Sequence, residues 1–215
     1  MPSTALSRCP WAMQPPVMTT YHDVEWGVPI YDDRKLFALL VLDAMQAGLS
    51  WLIVLRKREA IRQAFDQFDP ERIARYSRAN ISTLLQNPAL IRNRLKIEAT
   101  IANAQAFLQV VERQRNFHTY LWSFVDGQPV QPKRRSMLQI PTQTAESQRM
   151  SRALMQVGFR FVGPTICYAF MQAAGLVNDH LIDCFRHRQL LWRHNSFRRI
   201  TKPPRSRINL LSRRR

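Results

Sequence analysis

Cys9 and His22 near the start of the chain, and His180 and Cys184 near the end of its folded part, are side chains that could do chemistry together. Two thiolates and two imidazoles can complete a tetrahedral zinc site. With all four positions filled by protein, such a zinc is structural rather than an activator of water. Three residues separate His180 from Cys184, a spacing that predicts both on one face of a helical turn. The two halves lie far apart in sequence, and from spacing alone four unrelated buried or surface residues would read the same way. Cys167, the third cysteine, reads as a small apolar residue inside a helix. Three cysteines in a chain expected to be cytoplasmic argue against a disulfide framework.

A second pattern is Phe161-Val162-Gly163-Pro164-Thr165, a turn containing glycine with a helix beginning at once after it. Such a helix start leaves backbone amides unpaired at the positive end of the helix dipole, where a phosphate binds. The string resembles the helix-hairpin-helix element of DNA glycosylases, although a packing corner without a ligand would look much the same.

These residues need a scaffold, and composition sets its class. The chain has 215 residues, 46% of them hydrophobic, with 32 Lys and Arg against 15 acids and a formal charge of +17. That balance points to a polyanion or an anionic surface as partner. Residues 186–215 hold 11 of the basic residues and no acid, so the expectation is a single domain over 1–187 followed by a basic, disordered tail over 188–215. No apolar stretch reaches the roughly 18 residues needed to span a bilayer, and residues 1–16 do not read as a secretory signal. Helical periodicity runs from Leu36 to Met45, stopped by Gly48, and from a Ser50 cap through Trp51 to Phe65. Short helices are expected from Pro70 to Tyr76 and from Ser82 to Gln86. Longer ones follow over about Ile91–Gln114, Glu146–Val157 and Thr165–Ala174, with an aromatic segment Phe117–Val125 and an exposed loop over 127–143. No stretch reads firmly as a strand, so the fold class is all-α.

Taken together, residues 8–184 resemble the 3-methyladenine DNA glycosylase I family. The resemblance rests on Arg8-Cys9-x-Trp11, Tyr21-His22-Asp23-x-Glu25-Trp26-Gly27-Val28-Pro29, Gln46-Ala47-Gly48-Leu49-Ser50-Trp51, Trp122-Ser123-Phe124-Val125, Gly158-Phe159-x-Phe161-Val162-Gly163 and Asn178-Asp179-His180. It implies a helix-hairpin-helix glycosylase fold, structural zinc on Cys9, His22, His180 and Cys184, and double-stranded alkylated DNA as partner of a monomeric enzyme. It places the base pocket at Tyr21, Trp51 and Asp43, where the best-known members carry the longer glutamate. It also puts Asn178, followed by Asp179, where many helix-hairpin-helix glycosylases hold a helper aspartate.

The implied chemistry suits these residues. A base must leave the duplex before its glycosidic bond can be reached. N3-methylation makes adenine cationic, and a box of Tyr21 and Trp51, joined by Trp11, favours a cation by about 0.5–2 kcal/mol per contact. Asp43 would accept a charge-assisted hydrogen bond from the exocyclic amine. Trp26, Trp122 and Trp192 read as core packing. Gly163 and Thr165 would meet phosphate, and Leu49 reads equally as a wedge filling the gap left by the base or as a staple between two helices. In sequence order no lysine is near the hairpin, which argues for a monofunctional enzyme without a Schiff-base step. The rival from another class is a zinc-stapled DNA-binding protein without catalysis.

Overall fold

The computed structural model describes residues 6–13 and 15–191. Trp192 and the basic segment from there onward lie outside the described residues. Within them the chain forms helices α1 (Pro16–Val24), α2 (Asp33–Gln46), α3 (Trp51–Ala64), α4 (Pro70–Ile73) and α5 (Arg78–Gln86). These are followed by α6 (Arg94–Gln114), α7 (Phe117–Trp122), α8 (Ala145–Val157), α9 (Pro164–Ala173) and α10 (Phe185–Gln189). The only extended pairing among the described residues is an isolated bridge between Val130 and Val177, so the all-helical expectation holds.

Local chemistry explains where the helices begin. Asp32 Oδ1 accepts from Lys35 N at 2.8 Å and starts α2. Asn93 Oδ1 accepts from Lys96 N at 3.2 Å, which starts α6 at Arg94 rather than near Ile91. Reciprocal capping by Ser77 and Asn80 starts α5 at Arg78, four residues before the expected Ser82. Ser50 occupies the N-cap of α3, but its side chain accepts no capping hydrogen bond. Helix α1 was not anticipated, although Pro16 at a first helical position and the spacing of Val17, Met18 and Tyr21 carry its signal. The loop after Gly127 contains a 3-10 turn, Met137–Gln139.

Helix α2 is the axis of the core. Leu36, Phe37, Leu40, Val41, Leu42, Ala44 and Met45 are all buried along it, and it packs against α3, α6, α7 and α9. A helix apolar on nearly every side must be surrounded in this way. Its first residue also reaches across the molecule: Asp33 accepts from the amides of Phe117 and His118 at 2.8 Å each, holding the start of α7.

The N-terminal segment lies against the end of α9. Ile30 N donates to Ala174 O at 3.1 Å. Gly175 has φ +75°, and a Cβ there would stand 2.4 Å from Pro29 N, so the close approach requires glycine. A second apolar cluster forms at this junction from Cys9, Tyr21, Trp26, Leu55, Ala173 and Cys184, joining the two ends of the described chain. No helix among the described residues is long and apolar enough to cross a membrane.

Candidate active site and metal centre

Helix α1 delivers two consecutive residues to two different sites: Tyr21 to a cavity, His22 to a cluster of metal-ligating side chains. Cys9, His22, His180 and Cys184 are all buried, with ligand atoms within 4.8 Å of one another. Cys184 Sγ lies 3.4 Å from His22 Nε2 and 3.6 Å from His180 Nδ1, and Cys9 Sγ lies 3.8 Å from His180 Nδ1. Tetrahedral zinc with its usual bond lengths requires sulfur–nitrogen separations of about 3.6 Å. The donor set therefore has the size as well as the chemistry of such a site.

The outward ring nitrogens are also engaged. His22 Nδ1 is 2.8 Å from Asp23 Oδ1, and Asp23 is gripped by Arg8 at 2.8–3.0 Å. His180 Nε2 is 3.1 Å from the carbonyl of Trp26. These partners aim Nε2 of His22 and Nδ1 of His180 inward, as ligand histidines require. The two thiols cannot ionise independently: hydrogen bonding from Cys9 and the two imidazoles pulls the Cys184 thiol down, while its neighbour pushes Cys9 up. A dication is what allows both to be thiolates.

The helical turn expected for His180 and Cys184 does not form. Leu181 N is directed to Cys9 Sγ at 3.5 Å and Ile182 N to Arg134 O at 2.9 Å. Those amides bond out of the segment rather than along it, so the chain closes a turn from Leu181 to Cys184 and α10 begins only at Phe185.

The cavity, of about 310 Å³, is lined by Trp11, Met18, Tyr21, Trp26, Asp43, Gln46, Trp51, Met137, Ile140, Ala169, Gln172 and Ala173. Tyr21, Asp43 and Trp51, distant in sequence, thus converge on one space. Tyr21 and Trp51 have ring centroids 5.3 Å apart and tilted by 51°, and Trp11 stands 6.4 Å from Tyr21. Trp26, expected to be core only, is buried but also forms cavity wall, 5.0 Å from Trp11. Trp122 is core as expected, its Nε1 donating to Ile30 O at 2.8 Å.

Asp43 is 2% exposed. Its Oδ2 is buried with no hydrogen-bond partner among the described residues, and so is Trp51 Nε1. Burial pushes the Asp43 carboxyl well above the usual carboxylate range, because nothing nearby compensates the charged form. Burial likewise pushes the Tyr21 phenol up, with Asp43 adding to it.

The hairpin joins α8 to α9. Gly158, at φ +109°, ends α8. The second positive φ belongs to Phe161, at +55°, while Gly163 is extended at φ −60°, ψ 163°. The tight turning expected of Gly163 is therefore done by its neighbours. Nothing lies within 4 Å of a Cβ built on Gly163, so its missing side chain leaves open space at the start of α9. Pro164 has no N–H, and the first helical bond runs from Cys167 N to Gly163 O at 2.9 Å. Thr165 is exposed. Asn103 of α6, fully buried, was missed in the sequence: it accepts from Arg160 N at 2.7 Å and donates to Arg160 O at 3.1 Å, clamping the turn. Cys167 is buried as expected, its thiol pushed up to about 12 by burial.

Leu49 is exposed in the loop between α2 and α3. Asp179 is fully engaged, accepting from Tyr168 Oη, from Gln172 Nε2 at 2.8 Å and from Arg134 Nε at 3.5 Å, and Asn178 is buried, donating to His187 O. Lys96 is buried, and its Nζ donates to the carbonyls of Met45 and Ala47 at 2.7 Å each, on either side of the cavity residue Gln46.

Among the described residues, an all-helical fold thus brings together a hairpin at the start of α9 and an aromatic cavity that holds an unpartnered acid. The model of the methyladenine glycosylase family matches residues 11–187. The chain belongs to that family. It is 48% identical over 179 residues to DNA-3-methyladenine glycosylase 1 of Escherichia coli (strain K12), covering 83% of this chain and 96% of that protein. A crystal structure of 3-methyladenine DNA glycosylase I aligns with TM-score 0.82 and 51% identity over 83% of this chain and 98% of that one. The Staphylococcus aureus enzyme, solved for the structural basis of its 3-methyladenine recognition, aligns with TM-score 0.83 and 37% identity over 89% of this chain and all of that one.

Proposed function

We propose that this chain is a monomeric, single-domain repair enzyme that removes 3-methyladenine, and 3-methylguanine to a lesser degree, from alkylated double-stranded DNA. The observation that carries the reading is Asp43 Oδ2, buried and unpartnered at the wall of an aromatic cavity. A buried polar atom without a partner costs about 1–3 kcal/mol, and a ligand that donates to it recovers that cost. The cationic 3-methylpurine does so through its exocyclic amine while Tyr21, Trp51 and Trp11 face its charge.

In this reading the lesion swings out of the duplex into the cavity, the exposed Leu49 fills the gap, and the amides of Gly163 and Thr165 hold a backbone phosphate. The bond from the sugar C1′ to the base breaks as water adds to C1′; the base departs neutral with the electron pair of that bond, and the added water gives up one proton to solvent. The ring cation makes protonation of the leaving group unnecessary. Asp179 is already occupied by Tyr168, Gln172 and Arg134, which supports a reaction in which water receives little help. Lys96 spends its ammonium on two carbonyls, in keeping with an enzyme lacking a Schiff-base step. Cys9, His22, His180 and Cys184 would hold a structural zinc ion, which when bound would tie the N-terminal segment to the segment after α9 and leave the reaction to the cavity residues.

Incubation with methylated duplex DNA, followed by chromatography of the released bases and gel analysis of the strand, tests the reading. Free 3-methyladenine with an uncut strand is expected. Release of mainly 7-methylguanine, or tight DNA binding without any released base, would refute it.

A further inference from the structure

Helix α6 carries a buried polar stripe that makes little sense as core. Lys96 is 6% exposed, Thr100 2% and Asn103 0%, at positions i, i+4 and i+7, hence on one face. Thr100 satisfies itself on its own helix, donating to Lys96 O at 2.9 Å. The other two do not. Lys96 donates to Met45 O and Ala47 O, the last carbonyls of α2 and the start of the loop bearing Leu49. Asn103 engages both backbone groups of Arg160, in the hairpin turn. A single helix therefore grips two turns that flank cavity-lining elements: Gln46, the last residue of α2, lines the cavity just before the first, and α9, which leaves the second, lines it through Ala169, Gln172 and Ala173.

We infer that Lys96 and Asn103 are positioning residues that make α6 a ruler, fixing the separation of the Leu49 loop from the hairpin turn so that both meet one duplex at once. The seven residues between the two clamps correspond to about 10.5 Å along the helix axis. Both anchors suit rigid placement. The ammonium meets the negative end of α2 with two short bonds, and the amide saturates a donor and an acceptor of one residue, so the turn cannot rotate about a single contact. A duplex that contacts both loops then needs no loop ordering on binding, which preserves affinity.

The inference rests on the proposed DNA contacts, and it is read by binding rather than by base release. The probe is a duplex containing one stable abasic-site analogue, compared with free 3-methyladenine as a ligand of the cavity alone. Lys96→Met and Asn103→Ala are each expected to weaken duplex binding about tenfold, the effect of one lost buried polar anchor, with free-base affinity changed less than about twofold. Because both clamps fix one separation, releasing the second adds little once the first is gone: the double variant should lose clearly less than the product of the two single losses. Asn103→Asp, which keeps the acceptor for Arg160 N, should recover part of the loss. Duplex affinity at the wild-type level in both single variants, or strictly multiplicative losses in the double variant, would overturn the ruler. Parallel loss of free-base binding would also overturn it, by showing the residues to be general structural supports. A wild-type protein that binds the abasic duplex yet releases no base from methylated DNA would defeat the proposed function while leaving the ruler readable.

Discussion

The metal cluster and the cavity share walls but treat buried polarity in opposite ways. Around Cys9, His22, His180 and Cys184 each ring nitrogen that faces away from the centre has a partner, in Asp23 or the Trp26 carbonyl. In the cavity Asp43 Oδ2 and Trp51 Nε1 have none among the described residues. Trp26 belongs to both, its carbonyl holding His180 and its ring forming cavity wall. Satisfied polar groups make a closed structural centre, whereas unsatisfied ones lower stability and persist where a ligand completes them. In the function proposed above, the difference separates the part of the molecule that holds from the part that binds.

Cys184→Ser strikes the holding side and should have the largest effect. Metal analysis of the purified wild-type chain is expected to give near one zinc equivalent. The variant should lose the metal and about 4 kcal/mol of stability, a fall in Tm of roughly 10 °C by calorimetry. A metal-free wild-type preparation of unchanged Tm would erase the contrast.

Asp43→Asn strikes the binding side and should separate stability from activity. Excision of 3-methyladenine should drop about 10- to 100-fold, the difference between a charge-assisted and a neutral hydrogen bond, with duplex affinity little changed. Chemical denaturation should show stability held or raised by about 1 kcal/mol, because a buried acid no longer opposes folding. Between the ordinary carboxylate range and Asp43's raised pKa, the folded chain keeps a proton that the unfolded chain has released, so stability falls as pH rises through that window. The carboxylate that receives the cation appears over the same window, so kcat/KM should rise with pH up to the raised pKa and then level off. A wild-type profile identical to that of Asp43→Asn would remove Asp43 from the reaction.

The smallest expected effect is that of Trp51→Phe. The ring stays and the stacking area shrinks slightly, so excision should fall only about two- to fivefold, in line with one weakened cation–π contact. A hundredfold loss would mean that Trp51 Nε1 donates a hydrogen bond to the substrate.

Much of this was legible in the chain. The apolar spacing of α2 and α3, the long α6 and the pair α8 and α9 announced themselves, because helices are written in periods of a few residues. The family resemblance pointed to Tyr21, Asp43 and Trp51, which the structure brings to one cavity, and to Cys9, His22, His180 and Cys184, whose ligand atoms it brings within 4.8 Å of one another. Helix α1 is weakly marked, with Pro16 at its first position and no side-chain cap. The helical turn expected at His180 and Cys184 failed because Leu181 and Ile182 found partners elsewhere in the fold. Lys96 and Asn103 left no trace, since a polar residue in an amphipathic helix reads as a solvated face until its neighbours are known.

By itself the sequence determined the all-helical class, the supply of metal-ligating and aromatic side chains, and the presence of an acid on α2. Only the tertiary structure decided that this acid is sealed without a partner, that Trp26 serves two sites, and that one face of α6 spans two distant loops. Periodicity and residue type are local properties of the chain, whereas hydrogen-bond satisfaction and burial depend on residues brought together from as far apart as Cys9 and His180.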